Sequence, residues 1–226
     1  ASTDTSDLAM AKAVAEKFDL KVTAEALDQL EEQALREGKQ KLLEAVEVTN
    51  AKTYIGGSVS LLCELTADIV EDLGYRPIVL TDRLDCEARE AGKFLASIGL
   101  SHSQSKENVA FIAGGETVVT LKGKGKGGRN QELALAAAKT LAGTKNVLLF
   151  SLGSDGTDGP TDAAGGFVDG QTWTKLEENG LNADEVLADN NAYVALDRIG
   201  GLLKTGPTGS NINDVSVVLV RKDSDL

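Results

Sequence analysis

Histidine is almost absent from this 226-residue sequence, in which His102 is the only one. That scarcity removes most zinc sites, Ser-His-Asp triads and Cys-His dyads in one step. Cysteine is nearly as rare. Cys63 and Cys86 cannot build a disulfide framework, and they suit a reducing, cytoplasmic setting. No apolar run is long enough to cross a bilayer, and the opening residues lack the basic and apolar regions of a signal peptide, so no membrane contact is expected. An excess of positive charge is missing too. The formal net charge of −12 repels phosphate backbones and argues against general nucleic-acid binding. Any chemistry must therefore run on carboxylates, Lys, Arg, backbone N–H groups or a bound metal.

What is present is the composition of an ordinary globular protein, long enough for one large domain or two small ones. Two helices are expected between Ser6 and Gly38, then a strand over Ala45–Ile55. A helix follows Gly56-Gly57-Ser58 and runs to Gly74, then a strand over Arg76–Thr81 and a helix over Asp85–Ile98 closed by Gly99. This alternation predicts a parallel sheet with right-handed crossovers. The polar stretch Ser101–Asn108 reads as a boundary. Beyond it, Val109–Ala113 and Thr117–Lys122 flank Gly114-Gly115-Glu116 and suggest a hairpin. A helix over Asn130–Leu141, an apolar strand over Asn146–Leu152, helices over Gln171–Asn179 and Asn190–Ile199, a short segment Leu202–Thr205 and a strand over Val215–Val220 complete the reading. The expected class is α/β, with mixed sheets and flanking helices in a three-layer-like arrangement, in two parts, 1–107 and 108–226.

Positive charge is concentrated in one place. Lys122, Lys124, Lys126 and Arg129 crowd a glycine-rich segment that ends in Gly127-Gly128-Arg129-Asn130-Gln131-Glu132 at a helix start. Glycines let N–H groups approach a ligand, the helix terminus adds partial positive charge, and a guanidinium can grip a phosphate or carboxylate with two bonds. No Gly-Lys-Ser/Thr is present, so this is not a Walker A loop. Gly123-x-Gly125-x-x-Gly128 has dinucleotide-fingerprint spacing, but the strand before it reads as a hairpin arm rather than the first strand of a βαβ unit. A second segment, Gly153–Gly166, follows the carboxyl end of an apolar strand, where open α/β sheets bind ligands. Its Asp155, Asp158 and Asp162 need a cation or donors to offset their repulsion, and Mg²⁺ is a natural partner; a chain of Asp-Gly turns is the alternative. A third, Thr205–Asp214, holds Thr208, Asn211 and Asp214 and reads first as a turn, although its hydroxyls and N–H groups could serve an anion. Glu116 reads as a hairpin carboxylate or a site residue.

Taken in order, Ile112-Ala113-Gly114-Gly115-Glu116-Thr117, Gly127–Glu132, Asp155–Gly165 and Thr205–Asp214 resemble the C-terminal MOFRL domain of class I glycerate kinases, over about Asn108–Val220. Upstream, Ala45–Ile55, the Leu73–Pro77 turn and Glu87-Ala88-Arg89-Glu90 resemble the end of that family's Rossmann-like N-terminal domain. Where the family shows Gly-Ser-Asn, Gly56-Gly57-Ser58 is followed here by Val59. The resemblance implies ATP- and Mg²⁺-dependent phosphorylation of D-glycerate to 2-phosphoglycerate in a cleft between two domains. Hydroxypyruvate reductase, which would use NAD(P)H, is the runner-up name, and a non-catalytic metabolite-binding module a further alternative. On this view Arg129, Asp155 and Asp158 are catalytic. Lys124, Lys126, Gly127, Gly128, Asn130, Glu132, Glu116, Thr208, Asn211 and Asp214 bind substrate or phosphate, and Asp155, Asp158 and Asp162 are the metal candidates. The resemblance further implies that Ala1-Ser2-Thr3-Asp4 lies partway through the upstream domain, whose remainder would be a partner of this chain, and it leaves a homo-oligomer open.

Overall fold

The computed structural model describes residues 57–222, so the helices expected between Ser6 and Gly38 and the strand expected over Ala45–Ile55 lie outside the described residues. In chain order the elements are α1 (Val59–Asp72), β1 (Arg76–Leu84), α2 (Ala88–Ser101), β2 (Val109–Gly115), α3 (Arg129–Leu141), β3 (Val147–Gly153), β4 (Gly165–Asp169), α4 (Thr172–Glu178), α5 (Ala183–Ala188), α6 (Ala192–Ile199), β5 (Leu202–Leu203) and β6 (Asp214–Val220). Six strands form one mixed sheet in the order β1-β2-β6-β3-β4-β5. The alternation before residue 108 does yield a parallel pair, β1 with β2. These two strands lie on either side of the boundary expected at 107/108, so one sheet spans it. Every other pairing is antiparallel.

Alternation along the central strands sorts side chains to two faces. Ala110, Ile112, Val215 and Val217 pack under α1 with Cys63 and Val70. Val109, Phe111, Ala113, Val147, Leu149, Val218 and Val220 pack on the opposite face under α2, α3 and the short helices α4–α6. Among the described residues the result is three layers, with α1 alone on one side. α3 is the strut of the thicker side. Ten of its 13 residues are buried, and the run Ala134, Ala136, Ala137 and Ala138 gives it a narrow profile that lets neighbours approach closely.

The hairpin expected around Gly114-Gly115-Glu116 does not form. β2 already has β1 on one side and β6 on the other, which leaves no edge for a third partner. The chain after Glu116 instead leaves the sheet and touches it once, through a bridge between Val118 and Glu87. β4 was not expected, because Gly165-Gly166 reads as the end of a loop; a Cβ on Gly165 would lie 1.9 Å from the Ser151 carbonyl oxygen, so glycine is what allows the pairing with β3. α5 was not expected either. Gly99 does not close α2, which continues to Ser101. It is small because Val147 and Val218 methyls lie 2.7–2.8 Å from where its Cβ would sit.

Gly92 marks the tightest crossing of α2 over α3: a Cβ there would lie 2.0 Å from the Leu133 carbonyl oxygen. Alanine is the better helix former, yet Gly92→Ala should destabilise the protein by about 2–3 kcal/mol through overpacking against rigid backbone. Urea unfolding of the two proteins measures the difference, and a gain in stability would refute the close crossing.

Candidate functional site

The sheet register brings several chain segments to one edge. Asp214, first residue of β6, lies opposite Gly115 at the end of β2 and opposite Gly153 at the end of β3. The start of α3 sits over this edge. Its Arg129 Nη2 donates to Asp214 Oδ1 at 3.1 Å while Nε donates to Asp214 Oδ2, and Nη1 donates to Glu116 Oε1 at 2.8 Å. The hydrogen-bonded Asp214 carboxylate pushes the guanidinium pKa up further, so Arg129 is permanently charged. Asp214 is 7% exposed and Glu116 52%, so one carboxylate is a fixed buried partner and the other faces solvent.

The helix terminus is held from outside. Asp158, 3% exposed, accepts the backbone N–H groups of Asn130 (3.2 Å) and Gln131 (2.9 Å) and the Asn130 amide (3.3 Å). Gly128, the N-cap position, has no side chain to do this, and a Cβ there would collide with Asp158. Burial, with the nearby Asp214 charge a smaller contributor, raises the Asp158 pKa to about 6 against the lowering effect of the Gln131 and Asn130 donors. Beneath Arg129 the side-chain Oδ1 of Asn130 accepts from Ser151 Oγ (2.6 Å), which is 2.8 Å from Ser216 Oγ, a polar seam across β3 and β6 inside the apolar layer.

Above this edge opens a cleft of about 940 Å³, walled by Asp82, Arg83 and Leu84 at the end of β1 and Asp85 just after it, by Glu116–Val119 and Leu121, and by Gly125, Gly127, Gly128, Arg129 and Glu132. Of the residues expected at a site, it therefore brings together Glu116, Gly127, Gly128, Arg129 and Glu132. Asp214 and Asn130 lie just behind. Glu132, 2% exposed, accepts from Arg89 of α2 and, through Oε2, from the Asn190 amide at 3.0 Å. The segment Thr205–Asp214 folds against the loop after β3: Thr208 donates to the Asp155 and Ser154 carbonyls, and Asn211 accepts from Asn213 N–H.

The three candidate metal carboxylates are occupied separately. Asp155 accepts from its own Thr157 N–H, Asp158 holds α3, and Asp162 accepts from Tyr193 Oη (2.6 Å) and Lys204 Nζ (3.1 Å), the tyrosine bond first among the causes that lower its pKa. Among the described residues no three His, Cys, Asp or Glu side chains cluster as a metal site. The basic loop is not an open cradle either. The N–H groups of Lys122 and Gly123 donate to Asn190 Oδ1, those of Lys124 and Gly125 to Asp189, and that of Lys126 to Asn191 Oδ1. Lys126 Nζ lies over the Tyr193 ring, 4.1 Å from its centroid. Sequence reading missed Asp82, Asp85, Thr117 and Asn190. The first two lie at and just past the carboxyl end of β1, where the rule applied to the loop after β3 would have pointed.

Because its folded pKa is raised, Asp158 contributes stability that is fully present below the ordinary aspartate range and is lost as pH rises through about 6. In urea unfolding between pH 4 and 7, Asp158→Asn should remove a fall of roughly 3 kcal/mol seen in the unmodified protein. Parallel stability profiles for the two would show that the carboxyl is not perturbed.

Residues 109–214 match the MOFRL family. The chain is 47% identical over 177 residues to D-glycerate 2-kinase of Thermotoga maritima, an alignment covering 76% of this chain and 42% of that protein. It is 35% identical over 167 residues to a putative hydroxypyruvate reductase of Agrobacterium vitis, covering 71% and 38%. The crystal structure of a Thermotoga maritima glycerate kinase superposes with a TM-score of 0.74 at 42% identity, over 86% of this chain and 50% of that one. The chain thus spans about half the length of the relatives it matches or less. Among the described residues no helix is long and apolar enough to cross a membrane.

Proposed function

We propose, from the match of residues 109–214 to the MOFRL family, that the cleft serves transfer of the ATP γ-phosphate to D-glycerate, giving 2-phosphoglycerate. The rest of a protein of the relatives' length would supply the opposite wall, and the reaction would run in the cytoplasm. The observation that carries the reading is Arg129: a permanent cation at a helix start, aimed by buried Asp214 and lining the cleft beyond the ends of β1 and β2. Phosphoryl transfer asks for positioned positive charge more than for covalent chemistry. In this arrangement Asp214 holds two guanidinium nitrogens and fixes their plane. The exposed Glu116 neutralises the third until an anion competes for it. The partial charge of the α3 terminus is met by Asp158, so the field in the cleft comes from the guanidinium itself. Asp155, Asp158 and Asp162 do not fit a three-carboxylate metal site, so Mg²⁺ enters this reading as part of the MgATP substrate and no step is assigned to protein-bound metal.

The reductase alternative fares worse. Its only support in the loop is the Gly123-x-Gly125-x-x-Gly128 spacing, and the N–H groups that would meet a pyrophosphate between Lys122 and Lys126 are committed to Asp189, Asn190 and Asn191.

The test is D-glycerate-dependent ADP formation with MgATP, by this chain alone and by a protein of the relatives' length that contains it. The longer protein should turn over, and its Arg129→Ala variant should lose about 10²–10³ in kcat while keeping its circular dichroism. NADPH-dependent reduction of hydroxypyruvate without ADP formation would overturn the reading. Normal turnover by the Arg129 variant would remove that residue from it.

A further inference from the structure

The glycine-rich loop has a clamp. Five successive N–H groups, from Lys122 to Lys126, donate to the three-residue segment Asp189-Asn190-Asn191. The return bond runs from Tyr193 N–H to the Lys126 carbonyl at 3.0 Å. The loop's glycines serve this contact. A Cβ on Gly123 would meet Asp189 backbone at 2.3 Å, and one on Gly125 would meet Asn191 Cβ at 2.4 Å.

Asn190 is the centre of the clamp. It is 4% exposed and adopts φ 53°, a conformation asparagine tolerates better than most residues. Its Oδ1 accepts from Lys122 N–H (2.8 Å) and Gly123 N–H (2.9 Å). Its Nδ2 donates to Glu132 Oε2 (3.0 Å) and to the Thr120 carbonyl (3.4 Å). Glu132 stands three residues after Arg129 in α3, and its other oxygen is paired with Arg89 of α2. One amide therefore ties the basic loop to the helix that carries the cleft's guanidinium, with both lone pairs and both protons in use.

We propose that Asn190 is a positioning residue for anion binding in the cleft: it fixes the Lys122–Gly128 loop relative to Arg129, so that the Gly127-Gly128 backbone and the guanidinium, which line the cleft together, face one bound phosphate chain. This inference rests on the phosphoryl-transfer reading above. It assigns to Asn190 no contact with substrate.

The experiment is calorimetric titration of the full chain with inorganic tripolyphosphate at low ionic strength, for the unmodified protein, for Arg129→Ala, Asn190→Gly and Asn190→Asp, and for the paired swap Asn190→Asp with Glu132→Gln. Glycine keeps the positive φ and removes the amide; aspartate alone keeps an oxygen for the two loop N–H groups but sets a second carboxylate against Glu132, and the swap gives that carboxylate an amide donor again. Arg129→Ala should abolish binding. Asn190→Gly should weaken it about tenfold, the scale of lost hydrogen-bonding partners, Asn190→Asp should weaken it at least as much, and the swap should restore it to within about threefold of the unmodified protein. Unchanged binding by Asn190→Gly would overturn the inference and leave the phosphoryl-transfer reading standing. A swap that binds no better than Asn190→Asp would reduce Asn190 to a structural part and also overturn it. An unmodified chain that binds no tripolyphosphate would overturn both.

Discussion

The start of α3 is the point on which the cleft depends, and it is secured by a carboxylate from another part of the chain. A helix start exposes N–H groups that must find acceptors. Here Gly128 offers none, and Asp158, 28 residues downstream of Asn130, supplies both oxygens. Because Asp158 sits in the loop between β3 and β4, this one contact locks that loop, the helix and the sheet edge together. Arg129, Asn130 and Glu132 inherit their positions from it. The cost is a buried carboxylate near other negative charge, visible in its upward-shifted pKa.

Charge around the helix start is arranged in layers. Asp158 and Asp214 are buried and spent on fixed partners, whereas Glu116 is half exposed and holds only one guanidinium nitrogen. An exposed ion pair contributes little to stability, so its partner is the one that an incoming anion can replace at small cost. The basic side chains that stand out in the sequence play a different part. Lys126 is drawn over Tyr193, and the loop that carries Lys124 and Lys126 has its backbone N–H groups pinned while these side chains stay exposed.

Much of this was legible from residue patterns, and the exceptions have physical causes. Continuous apolar runs located β2, β3 and β6, and helical spacing located α3 and α6 to within a residue or two. The Gly-Arg-Asn-Gln-Glu helix start, Glu116 and Asp214 were all picked out, and they do meet. What failed was the local reading of glycine. Gly114-Gly115 suggested a hairpin, Gly99 a helix end, Gly165-Gly166 a loop, and Gly123–Gly128 a cradle of free N–H groups. In the structure each of these glycines answers to a neighbour distant in sequence: Leu84 and Cys63, Val147 and Val218, Ser151 and Leu196, Asp189 with Asn191, and, at the α3 start, Ala192 and Asp158. A missing Cβ signals proximity to something, and the sequence alone does not say to what. The three aspartates misled for a related reason. Spacing places them in one loop, but each turns to a different partner across the fold.

The place of β6 in the sheet has a consequence for how the protein is made. It is the last of the six strands in sequence and yet it separates β2 from β3, pairing with both along their whole length. A ribosome delivering this chain from its amino end therefore releases two half-sheets that cannot join until Asp214–Val220 has emerged. In that interval Ile112, Leu149 and their neighbours have bare strand edges beside them, a state prone to wrong pairing and to aggregation. Closure by sequence-distant strands is also slow. Since Asp214 is the first residue of the closing strand, the step that completes the core is the same one that gives Arg129 its counter-ion, and no early folding product holds a formed cleft.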